Sequence, residues 1–303
     1  MEEFVLQTKG LTKRFGRKLV VNDLDLNIRK GDIYGFIGPN GAGKTTVMKV
    51  ILGLIFATAG SVSLFGEPQD IKNLKRVGSL IESPGLYQNC TAFENMKRFS
   101  ILSGGTDKEI HEILEIVGLR EATYKRVGTF SLGMKQRLGI AIALLGNPEM
   151  MILDEPVNGL DPMGMKDVRD IILRINQEKG VTFFISSHLL GELEKISTVY
   201  GIIRYGVLAE EISAEELAKK CGKSVVLRCN DVKKAAEIIA ADMGTQKIYI
   251  NEAESRINID TDISRSAEIN TKLVQAGIEV SELGIISTSY EDYFLQKMGP
   301  VNV

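Results

Sequence analysis

Residues 38–45 read Gly-Pro-Asn-Gly-Ala-Gly-Lys-Thr, which fits the pattern Gly-x-x-x-x-Gly-Lys-Ser/Thr of a loop whose backbone amides surround phosphate oxygens. The preceding residues 32–37 form a short apolar run of strand character, and residues 45–54 have the apolar spacing of a helix. A glycine-rich turn between a strand and a helix N-terminus directs successive N–H groups at an anion. The stretch therefore predicts a strand, a phosphate-binding loop and a helix.

Two side chains of this loop have specific expected roles. The pattern assigns Lys44 to the β- and γ-phosphates of a nucleotide and the Thr45 hydroxyl to a Mg²⁺ ion. A flexible turn with an ordinary surface lysine is the alternative, although four specified positions match by chance in only about one chain per hundred. The residues expected to contact nucleotide here are Gly38, Pro39, Asn40, Gly41, Ala42, Gly43, Lys44, Thr45 and Thr46.

Composition limits the class of function. The 303 residues are enough for two domains. With 37 basic and 39 acidic residues the net charge is -2, so no nucleic-acid partner is expected. The three cysteines form no Cys-x-x-Cys pair, which argues against a disulfide framework and a zinc site. The first ten residues lack signal-peptide features, and no apolar run reaches about 18 residues, so a membrane role needs a partner chain.

The pattern along the chain predicts two domains. Residues 1–209 alternate apolar strands with helical patterns, which indicates a layered α/β domain. Within it, residues 88–148 are mostly helical and are predicted to be an inserted helical subdomain. Residues 210–222 are predicted to be a linker. Residues 223–303 follow the order β-α-β-β-α-β of a small ferredoxin-like α+β accessory domain, with a final amphipathic segment at residues 290–298.

Two carboxylates end a buried strand. Residues 150–153 are apolar, and Asp154 and Glu155 follow them directly. A strand buried on both faces brings its last side chains to the carboxyl edge of the sheet, where doubly wound folds bind ligands. We therefore expect Asp154 to hold Mg²⁺, directly or through water, and Glu155 to polarise an attacking water.

Further motifs lie on both sides of these carboxylates. Residues 130–137 read Phe-Ser-Leu-Gly-Met-Lys-Gln-Arg, residues 159–161 read Gly-Leu-Asp, and His188 follows an apolar strand. In order and spacing over residues 1–209, the set resembles the ATP-binding subunit of an ABC transporter. The resemblance implies an α/β P-loop NTPase core, ATP and Mg²⁺ as cofactors, a second copy of the chain as dimer partner, and a separate transmembrane permease subunit. It also implies a cytoplasmic protein, peripheral on the inner face of the cell membrane.

The resemblance gives roles to five more residues. Phe15 matches the aromatic residue that stacks on adenine, with core packing as the alternative. Ser131 and Gly133 match the signature positions that meet the γ-phosphate bound by the opposite subunit of a head-to-tail dimer. Asp161 matches the loop that links the two active sites. His188 is expected to contact the γ-phosphate and orient the water, and a satisfied core histidine is the alternative.

The sequence departs from the family pattern in two places. The usual signature is Leu-Ser-Gly-Gly-Gln, and Leu132 and Met134 replace its first Gly and its Gln. In the loop at residues 80–85, Glu82 stands where the family has a Gln that ligates Mg²⁺. Both side chains offer oxygen to a hard cation, so Glu82 is expected to be a metal ligand that adds a negative charge. A helix-capping or surface glutamate is the alternative.

These departures resemble one branch of the family. The chain resembles the subunits that export bacitracin-like and lantibiotic-type peptides from bacteria. It shares with them a Glu in this loop, a signature of this type and a tail of this length. General multidrug-type subunits share the motifs, so drug export is an alternative cargo. A soluble mechanical ATPase acting on nucleic acid or ribosomes is a rival of another class, but such relatives usually carry a second ATP domain or a long coiled coil. A small-molecule kinase would leave the signature unexplained.

Overall fold

The computed structural model describes residues 3–103, 105–243, 248–251, 255–259 and 263–298. The described chain forms two compact units. The first extends to Ala214 and also includes the segment from Phe294 onward, and the second is Glu215–Tyr293. Within the described ranges, no helix is both long enough and apolar enough to cross a membrane.

The first unit contains two sheets and most of the helices. Its strands are β1 (Phe4–Phe15), β2 (Lys18–Arg29), β3 (Ile33–Ile37), β4 (Ala59–Leu64), β5 (Glu67–Pro68), β6 (Val77–Leu80), β7 (Met150–Asp154), β8 (Thr182–Ser187), β9 (Val199–Arg204) and β10 (Val207–Ser213). Its helices are α1 (Lys44–Ile51), α2 (Ile71–Leu74), α3 (Ala92–Ser103), α4 (Asp107–Ile116), α5 (Leu132–Ala143), α6 (Pro162–Lys179) and α7 (Leu190–Leu193). Helix α8 (Ala214–Lys220) starts where the unit ends.

The main sheet has six strands in the order β10-β9-β3-β8-β7-β6. Every neighbouring pair is parallel except β10 with β9. All residues of β3, β7 and β8 are buried, which explains why the sequence has continuous apolar runs there instead of alternation. Because parallel strands end at the same edge, the loops after β3, β6, β7 and β8 converge at the carboxyl edge of this sheet.

The other sheet of the first unit is antiparallel, in the order β2-β1-β4-β5. Along β2, Leu24, Leu26 and Ile28 are fully buried and alternate with exposed residues. They join one apolar cluster with Phe36 of β3 and Phe184 of β8, whose ring centroids lie 5.2 Å apart. Burying a side chain of this size contributes about 1.5–3 kcal/mol. This core therefore anchors β3 and the loop that follows it.

The chain between β6 and β7 is helical. Its described residues form α3, α4 and α5 and contribute no strand to either sheet. Thr91 and Glu94 exchange side-chain-to-backbone hydrogen bonds at the start of α3, and the Thr106 hydroxyl accepts one at the start of α4. These caps satisfy N–H groups that have no partner within the first turn. The described residues of the predicted insertion at 88–148 thus contain three α-helices.

The second unit is a smaller α+β structure. Its strands are β11 (Gly222–Cys229), β12 (Ile248–Asn251), β13 (Arg256–Ile259) and β14 (Val280–Thr288), and its helices are α9 (Val232–Met243) and α10 (Ser266–Gln275). The sheet order is β12-β13-β11-β14, and each neighbouring pair is antiparallel. Side chains of β11 and β13, such as Leu227 and Ile257, pack with Ile239 of α9 and Leu273 of α10.

Two predicted boundaries differ from the described structure. Residues 210–222, predicted to be a linker, contain the end of β10 and the whole of α8, because β10 pairs with β9. The acidic residues that begin α8 and the lysines that end it complement the helix dipole. The last helix, α11 (Tyr290–Met298), continues past Tyr293 into the segment that belongs to the first unit. Residues 299–303 of the predicted C-terminal domain lie outside the described residues.

Candidate functional site

The glycine-rich loop connects β3 to α1 with the geometry that an anion site requires. Gly41 and Gly43 have φ values of +80° and +110°, a region that favours glycine. A Cβ on Gly38 would lie 2.4 Å from the carbonyl oxygen of Ile203, and a Cβ on Gly43 would lie 2.9 Å from that of Val20. Among the described residues no side chain caps α1, so the N–H groups of its first turn suit an anionic ligand.

Lys44 places a buried positive charge inside this loop. Its side chain is only 6% exposed, and its Nζ donates hydrogen bonds to the carbonyl oxygens of Gly38 at 2.7 Å and Pro39 at 3.4 Å. The same Nζ lies 3.4 Å from Oε1 of Glu155. An ammonium group held at the centre of an amide-lined loop complements phosphate oxygens.

Asp154 is held beside Thr45 by two hydroxyl groups. The Thr45 Oγ1 donates to its Oδ2 at 2.7 Å, and the Ser186 Oγ donates to its Oδ1 at 2.5 Å. Asp154 is 3% exposed, so these bonds fix a buried carboxylate at the end of β7. Ser186, at the end of β8, has no motif of its own in the sequence. Its position two residues before His188 is the only signal that could have indicated it.

The oxygen donors at this point fit a hard cation. Thr45, Asp154 and Glu82 line one cleft of about 630 Å³ together with Glu155. No group of three or more His, Cys, Asp or Glu side chains in the described chain has the arrangement of a metal site. Mg²⁺ usually binds through one or two carboxylates and takes its other ligands from water and phosphate. The donor set therefore fits Mg²⁺ that arrives with a nucleotide.

Glu155 and His188 form a pair at the ends of β7 and β8. The His188 Nδ1 lies 2.7 Å from the Glu155 Oε2, and the His188 backbone N–H donates to the same oxygen at 3.3 Å. The Glu155 N–H donates to the hydroxyl and carbonyl of Ser186. Glu155 has φ +49°, a strained conformation of the kind that clusters at functional sites. Its carboxylate is thus held between an imidazole and the ammonium of Lys44.

Glu82 lies in the same cleft with a different immediate partner. Its Oε1 accepts a hydrogen bond from the Lys49 Nζ at 2.7 Å, and its φ is +62°. Lys49 was not predicted to be a site residue. It lies on α1 four residues after Thr45, which places both side chains on one face of the helix.

The predicted signature residues line another cleft. The Ser131 hydroxyl accepts from the Met134 N–H at 3.3 Å and caps α5, and the Asp161 carboxylate accepts from the Gly164 N–H at 2.8 Å and caps α6. Ser131, Gly133 and Asp161 together line a cleft of about 310 Å³. None of the phosphate-loop residues lines this cleft in the described chain. Ser131 and Gly133 thus line a cleft that the phosphate loop does not line, whereas Leu132 between them also lines the cleft that contains Thr45 and Glu155.

Phe15 is the last residue of β1, next to the turn to β2, and is not part of the core. Its side chain is 49% exposed, and the Lys13 Nζ lies 4.8 Å from its ring centroid. The same hairpin approaches the glycine-rich loop, because the Val20 carbonyl sits close to the position of Gly43. An exposed aromatic ring on this hairpin can stack on a planar base.

Comparison with known proteins shows which family and which proteins this chain is similar to. A family model described as ABC transporter matches residues 21–158. The chain is 42% identical over 302 residues to the bacitracin transport ATP-binding protein BcrA of Enterococcus faecalis, covering 98% of this chain and 97% of that protein. It is 43% identical over 214 residues to the lantibiotic transport ATP-binding protein SrtF of Streptococcus pyogenes, covering 70% of this chain and 93% of that protein.

Several solved structures are similar to the fold of this chain. One of them is a dimeric ATP-binding cassette in a post-hydrolysis state, bound to ADP and Pi, with a TM-score of 0.62 and 24% sequence identity. The match covers 69% of this chain and 98% of that structure. At this identity the likeness supports the fold, and the α/β prediction is confirmed at that level.

Proposed function

Because the chain belongs to the ABC transporter family of ATP-binding proteins, whose members bind and hydrolyse ATP, we propose that it powers export of an antimicrobial peptide through a separate permease. One observation carries the choice of cargo. The 42% identity to a bacitracin transport ATP-binding protein extends over 98% of the chain and so includes the C-terminal unit. The lantibiotic relative covers 70% of the chain. Drug export is the alternative cargo.

The residues at the carboxyl edge divide the chemistry among them. Lys44 neutralises charge on the β- and γ-phosphates, and the loop amides hold those oxygens. Thr45, Asp154 and Glu82 would hold Mg²⁺, which when bound neutralises phosphate charge in the transition state. Glu155 accepts a proton from the attacking water. His188 keeps the Glu155 carboxylate oriented through the contact at 2.7 Å.

A second copy of the chain completes each site. In one chain, Ser131 and Gly133 line a cleft apart from the phosphate loop. We place the Ser131 segment of one copy against the γ-phosphate held by the other, with Asp161 between the two sites and adenine stacked on Phe15. A dimeric cassette of the same fold supports this arrangement. A monomer that hydrolysed ATP at the full rate would contradict it.

Closure of the dimer would cause a conformational change in the permease. Residues 82–94 form the proposed coupling loop, because Glu82 lines the cleft and Glu94 enters the cap of α3. The protein would act in the cytoplasm, at the inner face of the cell membrane, where ATP and the permease meet. Neither role requires nucleic acid.

The domain assignment is also part of this proposal. Residues 1–209, extended to the end of β10, would be the ATP-binding domain, and the chain from residue 223 to Tyr293 an accessory domain of ferredoxin-like type, joined to it through α8. The strand order β12-β13-β11-β14, with antiparallel neighbours and two helices contributing to the core, supports that fold. Helix α11 crosses the boundary between the two units in the chain.

The test is protection of a bacitracin-sensitive bacterium. The chain is expressed with a multi-span membrane protein that co-purifies with it from detergent extract, and growth is measured against bacitracin, a lantibiotic and an unrelated drug. We expect protection against a peptide, and loss of protection with Glu155→Gln at equal protein levels. Protection against the drug alone would indicate the alternative cargo. ATPase activity stimulated by nucleic acid or ribosomes, and not by the permease, would support a mechanical ATPase instead.

A further inference from the structure

Two positions can attract the single carboxylate of Glu82. They are the Lys49 ammonium and the proposed metal position beside Thr45. The Glu82 Oε1 accepts from the Lys49 Nζ at 2.7 Å. Thr45, the proposed metal ligand on the same helix, lies one turn before Lys49, about 5–6 Å away between Cβ atoms. Two cations at one carboxylate repel each other, so a Mg²⁺ ion bound beside Thr45 weakens the pairing of Glu82 with the Lys49 ammonium.

The charges of the cleft favour Lys49 before a cation arrives. Three carboxylates, those of Glu82, Asp154 and Glu155, line the same cleft. Asp154 is held by Thr45 and Ser186, and Glu155 by Lys44 and His188. Like charges in one cleft repel, and Glu82 is the member with 65% of its side chain exposed. It therefore relieves the repulsion by pairing with Lys49.

The backbone is consistent with a loop that is held by this contact. Glu82 has φ +62°, in the left-handed region that non-glycine residues adopt at an energetic cost. An ion pair that ties the loop to α1 offsets part of that cost. A glutamine at this position could still accept a hydrogen bond from Lys49 but would lack the ion pair, so the ionic part of this restraint comes from the charge on Glu82.

We propose that Lys49 is a positioning residue that holds Glu82 away from the metal position until Mg²⁺ and nucleotide bind. The inference rests on the proposed role of Glu82 as a metal ligand. Binding of the cation reverses the electrostatics of the cleft, since three carboxylates that repel one another are then drawn to one positive charge. Lys49 thus makes closure of the loop at residues 80–85 depend on the metal.

The test is a double-mutant cycle read by nucleotide binding. Binding of a fluorescent ATP analogue to the full chain is titrated with Mg²⁺ for the parent, Lys49→Met, Glu82→Gln and the double variant. Lys49→Met should lower the Mg²⁺ concentration for half-maximal binding by about two- to fivefold, the size expected for a partly exposed ion pair. In the Glu82→Gln background, Lys49→Met should change the Mg²⁺ concentration for half-maximal binding by less than about 1.5-fold, because the ion pair is already absent.

Two controls separate this contact from general charge. Lys49→Gln should behave like Lys49→Met, since both remove the ammonium. Lys72 is exposed on α2, away from the cleft that Glu82 lines, and Lys72→Met removes a cation of the chain without removing the partner of Glu82. It should leave the Mg²⁺ requirement within about 1.5-fold of the parent.

The outcomes are distinct. An equal shift with and without Glu82→Gln, or a raised Mg²⁺ requirement in Lys49→Met, would overturn the inference while the proposed ATPase role stands. A parent chain that binds no nucleotide with or without Mg²⁺ would overturn both. A shift confined to the background that retains Glu82 supports the competition.

Discussion

The Nδ1 of His188 lies 2.7 Å from Oε2 of Glu155, and the Nζ of Lys44 lies 3.4 Å from the other oxygen of the same carboxylate. One carboxylate at the carboxyl edge of the main sheet thus contacts both the residue expected to bind phosphate and the residue expected to orient water. Glu155 and His188 directly follow β7 and β8, and Lys44 is the first residue of α1. The proposed base, Glu155, therefore belongs to a network of three side chains with Lys44 and His188.

Replacing the proposed base should separate binding from hydrolysis. Glu155→Gln preserves size and the contact to His188 but cannot accept a proton from water, so steady-state ATP hydrolysis should fall by about 10²- to 10⁴-fold. Nucleotide binding should persist, and size-exclusion chromatography in Mg-ATP should reveal a long-lived dimer. Hydrolysis at the parent rate, or a variant that stays monomeric with ATP, would remove Glu155 from this role.

Removing the buried ammonium should weaken binding itself. Lys44→Ala deletes charge-assisted contacts to the phosphates in both ground and transition states, and contacts of this kind contribute about 1.5–3 kcal/mol. ATP affinity, measured by equilibrium binding, should therefore fall by about 10- to 100-fold. Lys72→Ala on the exposed surface of α2 is the matched loss of a cation. Equal affinities in the two variants would mean that ATP binds elsewhere.

Local motifs made much of this site predictable from the sequence. The glycine-rich loop is encoded by adjacent residues, so its strand, turn and helix could be inferred together. Asp154 and Glu155 could be placed at the carboxyl edge because parallel strands end at one edge. Their contacts with Lys44, Thr45 and His188 follow from β3, β7 and β8 being neighbours.

Other features depend on contacts that no short pattern contains. The ion pair of Lys49 with Glu82 joins residues of separate segments through a left-handed residue, and an exposed lysine has no distinguishing neighbours in sequence. Ser186 is one of two adjacent serines at a strand end, and only the fold selects which of them contacts Asp154. Helix α11 is amphipathic, but its pattern does not identify the unit against which it packs.

The adjacent serines offer a direct test of that selection. Ser186→Ala removes the hydrogen bond to Asp154 and one to the Glu155 N–H. ATP turnover should fall by about tenfold, since bonds to a charged group contribute about 1.5–3 kcal/mol, and the Mg²⁺ requirement should rise. Ser187→Ala is the matched control, because the Ser187 hydroxyl accepts from the Leu189 N–H instead. Equal turnover and Mg²⁺ dependence in the two variants would contradict the role of Ser186.

An ion pair away from the site predicts a pH dependence of stability. Arg76 donates two hydrogen bonds to Glu149, at 2.6 and 2.8 Å, and these hold the pKa of the Glu149 carboxyl below its usual value of 4.5. A lowered pKa contributes stability above the unfolded value, and that stability is lost as pH falls through the folded one. Glu149→Gln should therefore cost about 0.5–1 kcal/mol at neutral pH, and less as pH falls below 4.5. The test is the free energy of unfolding of the parent and of Glu149→Gln, measured in urea at several pH values. A difference in this free energy that stays the same at every pH would contradict the prediction.

The end of the chain should stabilise the ATP-binding unit without taking part in hydrolysis. Phe294 is fully buried, and its ring centroid lies 5.6 Å from that of Tyr200 in β9. Replacing a buried Phe by Ala costs about 3–5 kcal/mol. Phe294→Ala should therefore lower the urea midpoint at which ATP-analogue binding is lost. Phe56→Ala, at a residue 87% exposed, should leave that midpoint unchanged.

A chain cut after Lys220 extends the same argument. The cut removes Phe294 and the contact of Lys297 with Glu210 at 2.9 Å, so the shortened protein should unfold at lower urea than the full chain. It keeps Lys44, Thr45 and Asp154, however, and should still bind ATP where it is folded. A folded truncation that binds no nucleotide would show that the C-terminal residues complete the site. A truncation as stable as the full chain would show that the packing of Phe294 on Tyr200 contributes nothing to the first unit.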